Sequence, residues 1–226
     1  MMQGNIQAVD QFIAIAARML YSLGGHYPSQ SHVRTLFWVC YILDKDLSLR
    51  TGRFPVICDE HCDLTLPSAY SEHTVYLHAS DQPFWTDLRL SIIKSKAYNL
   101  LYSPQALNAT DAELIKSIRM LGEELDEWRL GLPPAHRPAF AEPSDAACKE
   151  IRWILMHLDF YHCVTMVHQA SSRCTQWSES QTHVLGVQSS FDICVAASRS
   201  TLRHLLKASQ VYIHDPNFWY EVDPIL

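Results

Sequence analysis

An all-α fold is the class this sequence predicts. Apolar residues recur at three- and four-residue steps through successive stretches, no stretch keeps a two-residue alternation for a useful length, and Gly and Pro fall between the periodic stretches. With 226 residues, 48% of them hydrophobic and only 7 Gly, the chain has enough apolar surface for one substantial core. A single irregular multi-helix domain over residues 1–226 is therefore expected, with a proline-punctuated loop after its central helix. No internal repeat is evident.

Ile6, Val9, Phe12, Ile13, Ala16, Leu20 and Leu23 keep helical spacing and predict a first helix from about Asn5 to Leu23, stopped by Gly24-Gly25. Ser31 is the expected cap of a second helix, whose stripe is Val33, Leu36, Phe37, Cys40, Leu43 and Leu47. The stripe is broad, which predicts a central, mostly buried helix packed as a hairpin on the first. Gly52 follows the last periodic residues and tolerates the left-handed conformation that often ends a helix. The second helix should stop near Arg50.

Pro55, Pro67 and Pro83 punctuate the next stretch, where one helical turn near Ser68 to Glu72 is all the pattern supports. A third helix is expected from Phe84, with Leu88, Ile92, Ala97, Leu100 and Leu101 inward. It should end before Ser103-Pro104. Thr110 or Asp111 caps a fourth, with Leu114, Ile118, Leu121, Leu125 and Trp128 as its stripe and Gly131 and Pro133-Pro134 as its stop. Residues 131–144 form the best internal linker. A fifth helix, predicted as the longest, runs from about Ser144 to Cys174 with Ile151, Ile154, Leu155, Leu158, Tyr161 and Val164 or Thr165 inward. The sixth starts near Val184 and carries Val187, Phe191, Cys194, Val195, Leu202, Leu205 and Leu206, with Ser198 on the same face.

The stretch from His32 to Pro67 also carries an ordered signature: Arg34, Leu36, Phe37, Trp38, Tyr41, Leu43, Asp44, Lys45, Ser48, Leu49, Gly52, Arg53, Pro55, Asp59, Asp63, Leu66 and Pro67. This pattern resembles the middle homology region of fungal zinc-cluster transcription factors. Ala16-Ala17-Arg18-Met19 with Leu23-Gly24 resembles the family's preceding helix, and Leu125-Asp126-Glu127-Trp128, Leu132-Pro133 and the run from Leu158 to His168 resemble its later helices more loosely. Phe54 stands where the family usually runs Gly-Arg-Pro directly. The resemblance implies a nuclear protein that controls transcription by RNA polymerase II, of metabolic or secondary-metabolite genes. It implies further helices on both sides, so a chain truncated at both ends is expected. Its partners would be a family transcription factor or co-regulator and a small-molecule effector.

Residues 1–226 lack the six closely spaced cysteines of a zinc-cluster DNA reader. Zinc is accordingly expected only in a DNA-binding domain absent from this chain, and DNA contact only through that domain. With 18 basic against 24 acidic residues and a net charge of −6, this chain by itself does not suit a polyanionic partner. No uninterrupted apolar run of membrane-spanning length occurs, and the N-terminus lacks the organisation of a secretory signal. Seven scattered cysteines, an odd number, fit an intracellular chain with reduced thiols.

Several clusters invite chemistry. Cys58, His61 and Cys62 are the densest set of metal-ligand types, but a structural zinc site takes four ligands from two spaced pairs, and no second pair follows. A solvated acidic loop is the expected reading. His157, Tyr161 and Cys163 on one helix suggest a nucleophile, against which stands the absence of a Gly-x-Ser-x-Gly elbow or a phosphate-cradling glycine loop. The sequence therefore predicts no catalytic residues. Arg34, Phe37, Trp38, Tyr41, Asp44, Gly52, Arg53, Pro55, Asp59, Leu66 and Pro67 are expected to be structural, with Asp44 fixing Arg34 or Arg53 through a charge-assisted pair. An alternative points Arg53 into a ligand cavity, and Phe37, Trp38, Tyr41, Trp128, Trp153 and Tyr161 either line an apolar pocket or fill the core. The two function classes left beside the regulatory domain are a stand-alone interaction protein that modulates a full-length factor and a small helical enzyme.

Overall fold

The computed structural model describes residues 3–28, 32–67, 86–141, 150–174 and 184–212. Among them lie six α-helices and no strand: α1 (Gln3–Ser22), α2 (His32–Thr51), α3 (Leu88–Ala97), α4 (Asp111–Gly131), α5 (Ile151–Gln169) and α6 (Val184–Tyr212). The chain divides into two compact units, Met1–Tyr98 and Asn99–Leu226.

In the first unit α1 and α2 form the expected hairpin and α3 packs on α2. Its core joins Ile13, Ala17 and Leu20 to Phe37, Trp38, Cys40, Tyr41, Ile42, Ile57 and Leu88. The buried face of each helix differs from the apolar stripe. On α1, Val9 and Phe12 are exposed, as is Leu23 just beyond it, while Ala17, outside the expected stripe, is buried. On α2, Leu36 and Leu43 face outward, whereas Arg34, Asp44, Lys45 and Ser48 are buried. The buried face of α2 is thus rotated toward polar residues, which a purely apolar count cannot find.

Helix α2 ends at Thr51 and hands over to Gly52 at φ +70°, with the Gly52 N–H donating to the Ser48 carbonyl at 2.9 Å. Nothing lies within 4 Å of a Cβ built there, so the backbone conformation alone opposes a side chain. Gly52→Val is expected to cost about 1–3 kcal/mol, because a β-branched residue is strained at positive φ. An unchanged thermal midpoint would show that this turn carries no such constraint.

Asp87 is extended and its carboxylate accepts from the Arg89 N–H at 2.8 Å, which starts α3 at Leu88 instead of Phe84. Within it Leu90, Ile93 and Ala97 are buried beside Leu88, and α3 widens into a π-turn over Tyr98–Tyr102 in which Leu100 is exposed. In the second unit Thr110 and Glu113 form a capping box at the start of α4, and Leu114, Ile118, Leu121, Leu125 and Trp128 are all buried as expected. Removing the cap with Thr110→Ala is expected to lower stability by about 0.5–2 kcal/mol in a denaturant titration.

Helix α5 is buried on nearly every side from Trp153 to Tyr161, the pattern of a helix at the centre of a core. It is shorter than expected. Extended Glu150 precedes Ile151, and after Gln169 the chain tightens into a 3₁₀ turn, Ala170–Arg173. The longest described helix is α6, of 29 residues. Its expected stripe is largely outside: Phe191, Leu202 and Leu206 are exposed, and Ser190, Ala197, Ser200, His204 and Ala208 are buried. Bulky residues encircle α5, so α6 packs on it through small side chains at three-, four- and seven-residue steps. The Ser31 cap, the Ser68–Glu72 turn, Phe84, residues 142–149, Val187 as a core side chain and the chain after Tyr212 lie outside the described side chains or residues.

Candidate functional site

The signature stretch of the first unit becomes a clamp. Burying charged groups is costly unless they are paired and hydrogen-bonded, and here each one reaches across the 52–67 segment. The Asp44 carboxylate accepts from the backbone N–H groups of Val56 at 2.8 Å and Ile57 at 3.1 Å, and lies 3.2 Å from Lys45 Nζ. Lys45, 1% exposed, donates to the Ile57 carbonyl, sits 3.4 Å from Asp59 and lies 4.9 Å from the centre of the Tyr41 ring. Tyr41 in turn donates to Asp59 at 3.1 Å. Burial first, and the Asp59 charge after it, raise the Tyr41 phenol well above its ordinary range, so it remains a hydrogen donor.

Arg34 closes the far end of the clamp. Its guanidinium donates to the carbonyls of Gly25 at 3.2 Å, Asp63 and Thr65 at 3.4 Å, and stands 4.6 Å from the centre of Phe37 and 5.1 Å from that of Trp38. Asp44 therefore pairs with Lys45 and with backbone, not with Arg34 or Arg53. The position of Asp44, about two turns before the Gly52 exit, brings it under the returning chain, a proximity that helical spacing does not reveal. Arg53 is exposed and pairs with Asp10 on α1 at 2.9 Å. Phe54 is 76% exposed, so the inserted residue is turned outward. Pro55, Leu66 and Pro67 are half-buried along the same segment, with Leu66 packed on the core.

A second ion-pair set joins α2 to α3. Buried Lys94 donates to Asp46 at 2.7 Å, and Arg50 donates to the other Asp46 oxygen at 2.7 Å. Desolvation works to raise the Asp46 carboxyl, and the Lys94 and Arg50 charges override it, holding the group far below its ordinary range. Because its folded value is depressed, Asp46 stabilises the fold above the unfolded carboxyl range and that contribution is lost as acid protonates it. Lys94 carried no apolar signal and was not legible as a core residue.

Cys58, Asp59, Glu60, His61 and Cys62 form a 3₁₀ turn in which Cys58, Glu60 and His61 face solvent. Cys62 Sγ is 3.5 Å from the Tyr21 hydroxyl. Among the described residues no three His, Cys, Asp or Glu side chains converge so as to hold a metal ion.

The second unit brings together residues that the sequence left apart. His157 and Tyr161 share a face of α5, with ring centres 6.5 Å apart, and His204 of α6 meets both. His157 Nδ1 is 3.0 Å from His204 Nε2, His157 Nε2 is 2.8 Å from the His136 carbonyl, and His204 Nδ1 is 3.1 Å from the Ser200 carbonyl. The Tyr161 hydroxyl donates to the Ala139 carbonyl at 2.7 Å and lies 3.2 Å from the Ala139 N–H. The His136 ring stacks on Trp153 with centres 3.9 Å apart. The described part of the segment expected as an internal linker is thus fastened to α5 through His136 and Ala139. His204 gave no signal in the sequence, since it lies within a helix whose expected inner face, from Val187 to Leu206, did not include it.

Phe37, Trp38, Tyr41, Trp128, Trp153 and Tyr161 are all buried and in ring contact with neighbours. Two open grooves of the second unit, about 430 and 510 Å³, are lined by other residues, among them Phe140, Asp192 and Ile193 in one and Glu123, Leu130 and His168 in the other. No described helix is long and apolar enough to cross a membrane.

An all-helical scaffold with a polar clamp and a signature turn at Gly52 is what the structure defines, and the chain's relatives are fungal transcription factors. An ABC-transporter-regulating transcription factor of Aspergillus oryzae is 29% identical over 89% of this chain, and one of Aspergillus fumigatus is 28% identical over the same share. The Fusaridione A cluster transcription factor fsdR of Fusarium heterosporum is 25% identical over 92% of it. The chain spans 26% of the length of each Aspergillus relative and 40% of the Fusarium one. No family model and no solved structure matches the chain. The chain is a homologue of fungal transcription regulators and resembles their middle homology region.

Proposed function

We propose that this chain is the regulatory middle region of a fungal RNA polymerase II transcription factor and acts in the nucleus by interaction, without catalysis, on metabolic or secondary-metabolite genes. The observation that carries the reading is the Aspergillus oryzae relative: 29% identity extends over 89% of this chain yet takes in only 26% of that transcription factor. A matched part of that size inside a larger regulator suits a module that controls a DNA reader located elsewhere. The net charge of −6 agrees with a module that does not grip the phosphate backbone itself. The purified chain is expected not to bind duplex DNA at physiological salt, and tight, salt-sensitive binding in a gel-shift assay would contradict this.

The regulatory role is tested by fusing the chain to an unrelated DNA-binding module upstream of a reporter in a fungal host. Expression is expected to differ from that driven by the module alone, and the clamp variant Asp44→Ala is expected to remove the difference. A reporter that responds identically with and without the folded chain would sink the reading. Small-molecule control belongs to the same proposal. A ligand that binds only the folded state raises its thermal midpoint by mass action, so a metabolite screen by thermal shift decides between an effector and a protein partner.

A further inference from the structure

Helix α1 has two apolar faces, and the first unit uses one of them. Ile13, Ala17 and Leu20 turn into the core against α2, with Ala16 packed beside them. Phe12, Ile15, Met19 and Leu23 follow at three- and four-residue steps along another side, and they are 71, 59, 60 and 65% exposed. Leu23 continues the helical run, since its N–H donates to the Met19 carbonyl at 3.0 Å.

The placement of this second face follows from the clamp. Asp10 and Tyr21 are the α1 residues that reach the 52–67 segment, at Arg53 and Cys62. Phe12 and Met19 stand two residues from them, about 200° around the helix, and so turn away from that segment. On α2, Leu36 and Leu43, 56 and 40% exposed, stand in the same relation to Arg34 and Lys45, which hold the segment. The hairpin is therefore clamped on one side and bare on the other.

At these exposures the six side chains leave about 600 Å² of apolar surface in water, the top of the range for one patch on a monomer. With Val9, 44% exposed, and the polar side chains at its rim, the face approaches the roughly 800 Å² per partner that a stable interface buries. A partner recognised by charge finds little to hold. Asp10 and Arg18 are the only charged residues of α1, and Asp10 is already paired with Arg53 at 2.9 Å. A helix that lies on a membrane carries a rim of Lys and Arg, which α1 lacks. A second copy, by contrast, brings the same apolar stripe and little charge on α1 to oppose it. Phe12 and Met19, like Leu36 and Leu43, recur at seven residues, the interval at which helices pack side by side.

We propose that this face of the α1–α2 hairpin is an isologous contact through which two copies of the chain associate about a two-fold axis. Each copy uses the same patch, so the association closes at two.

The experiment is sedimentation equilibrium of the full chain from about 1 to 100 μM. The mass is expected to rise to twice that of one chain and to stop there. The thermal midpoint should climb over the same concentrations, because association stabilises the folded state by mass action. Phe12→Glu leaves its carboxylate in water in a single copy and buries it in the pair, so the dissociation constant is expected to rise about tenfold or more. Gln7→Glu adds the same charge at an exposed position on the polar side of α1 and should leave the dimer intact. Leu36→Glu tests the α2 half of the face and serves in place of Phe12→Glu should that variant lose its helical circular dichroism.

A single mass at every concentration overturns the proposal, whether the face then takes another protein or, in a flotation assay with phosphatidylserine-containing vesicles, a membrane. A mass that grows past two chains overturns it as well, because open association joins two different patches. A dimer that survives both Phe12→Glu and Leu36→Glu has its contact elsewhere on the chain and refutes this one.

Discussion

Asp44→Ala is expected to destabilise the Met1–Tyr98 unit by about 3–5 kcal/mol, the range for breaking a buried ion pair by removing one member. The carboxylate is 3% exposed, and its removal also takes the acceptor from two backbone N–H groups, those of Val56 and Ile57. Lys45 would keep the Ile57 carbonyl and Asp59 but lose its nearest counter-charge. Denaturant titration measures the loss, and amide exchange at Val56 and Ile57 locates it in the segment after Gly52. Lys45→Met is the informative contrast: it keeps much of the apolar stem, and the buried Asp44 carboxylate that it leaves without a counter-charge still accepts from the Val56 and Ile57 N–H groups, so the expected loss is smaller. A change below about 1 kcal/mol for Asp44→Ala would mean that the segment is held by its apolar contacts alone.

Trp38→Ala is expected to cost about 3–5 kcal/mol through the cavity left by a fully buried indole. The ring meets Phe37 edge-on at 5.6 Å and Tyr41 at 5.4 Å, and the Arg34 guanidinium lies 5.1 Å from its centre. Three supports of the clamp therefore lose a neighbour at once. Trp38→Phe should be milder, as it keeps an aromatic ring and removes an indole N–H that has no hydrogen-bond partner among the described residues. The ranking of the two variants by thermal midpoint checks the argument, and equal losses would point to a specific role for the indole N–H. The same comparison bears on the ligand question. If Trp38→Ala opens a site for small apolar compounds that the parent chain does not bind, the aromatics are filling space in the parent.

The ends of α1, α2 and α4 were legible in the residues because local chemistry decides them, whereas the bounds of α3 and α5 differ from those expected. Gly24-Gly25 and Gly52 ended α1 and α2, Thr110, one of two expected caps, began α4, and Gly131 with Pro133 closed it. The α4 stripe was also legible, since a helix with one solvated side separates apolar from charged residues along a single period. The signature contained Arg34, Asp44 and Lys45, though with Asp44 expected to pair with Arg34 or Arg53, and it pointed to the homology with fungal transcription factors.

Only the tertiary structure decided which partner each polar residue takes and which face of α2 and α6 turns inward. The reason is that burial depends on what arrives opposite a helix, and the sequence of one helix does not contain that. Asp44 and Lys45 are inside because the chain returning from Gly52 brings N–H and carbonyl groups to meet them. On α6, Ala197, Ser200 and Ala208 are inside because α5 already fills the space with large side chains, leaving Phe191, Leu202 and Leu206 out. His204 lies on that inner face and meets His157, 47 residues earlier, in a contact that no spacing rule along the chain could register.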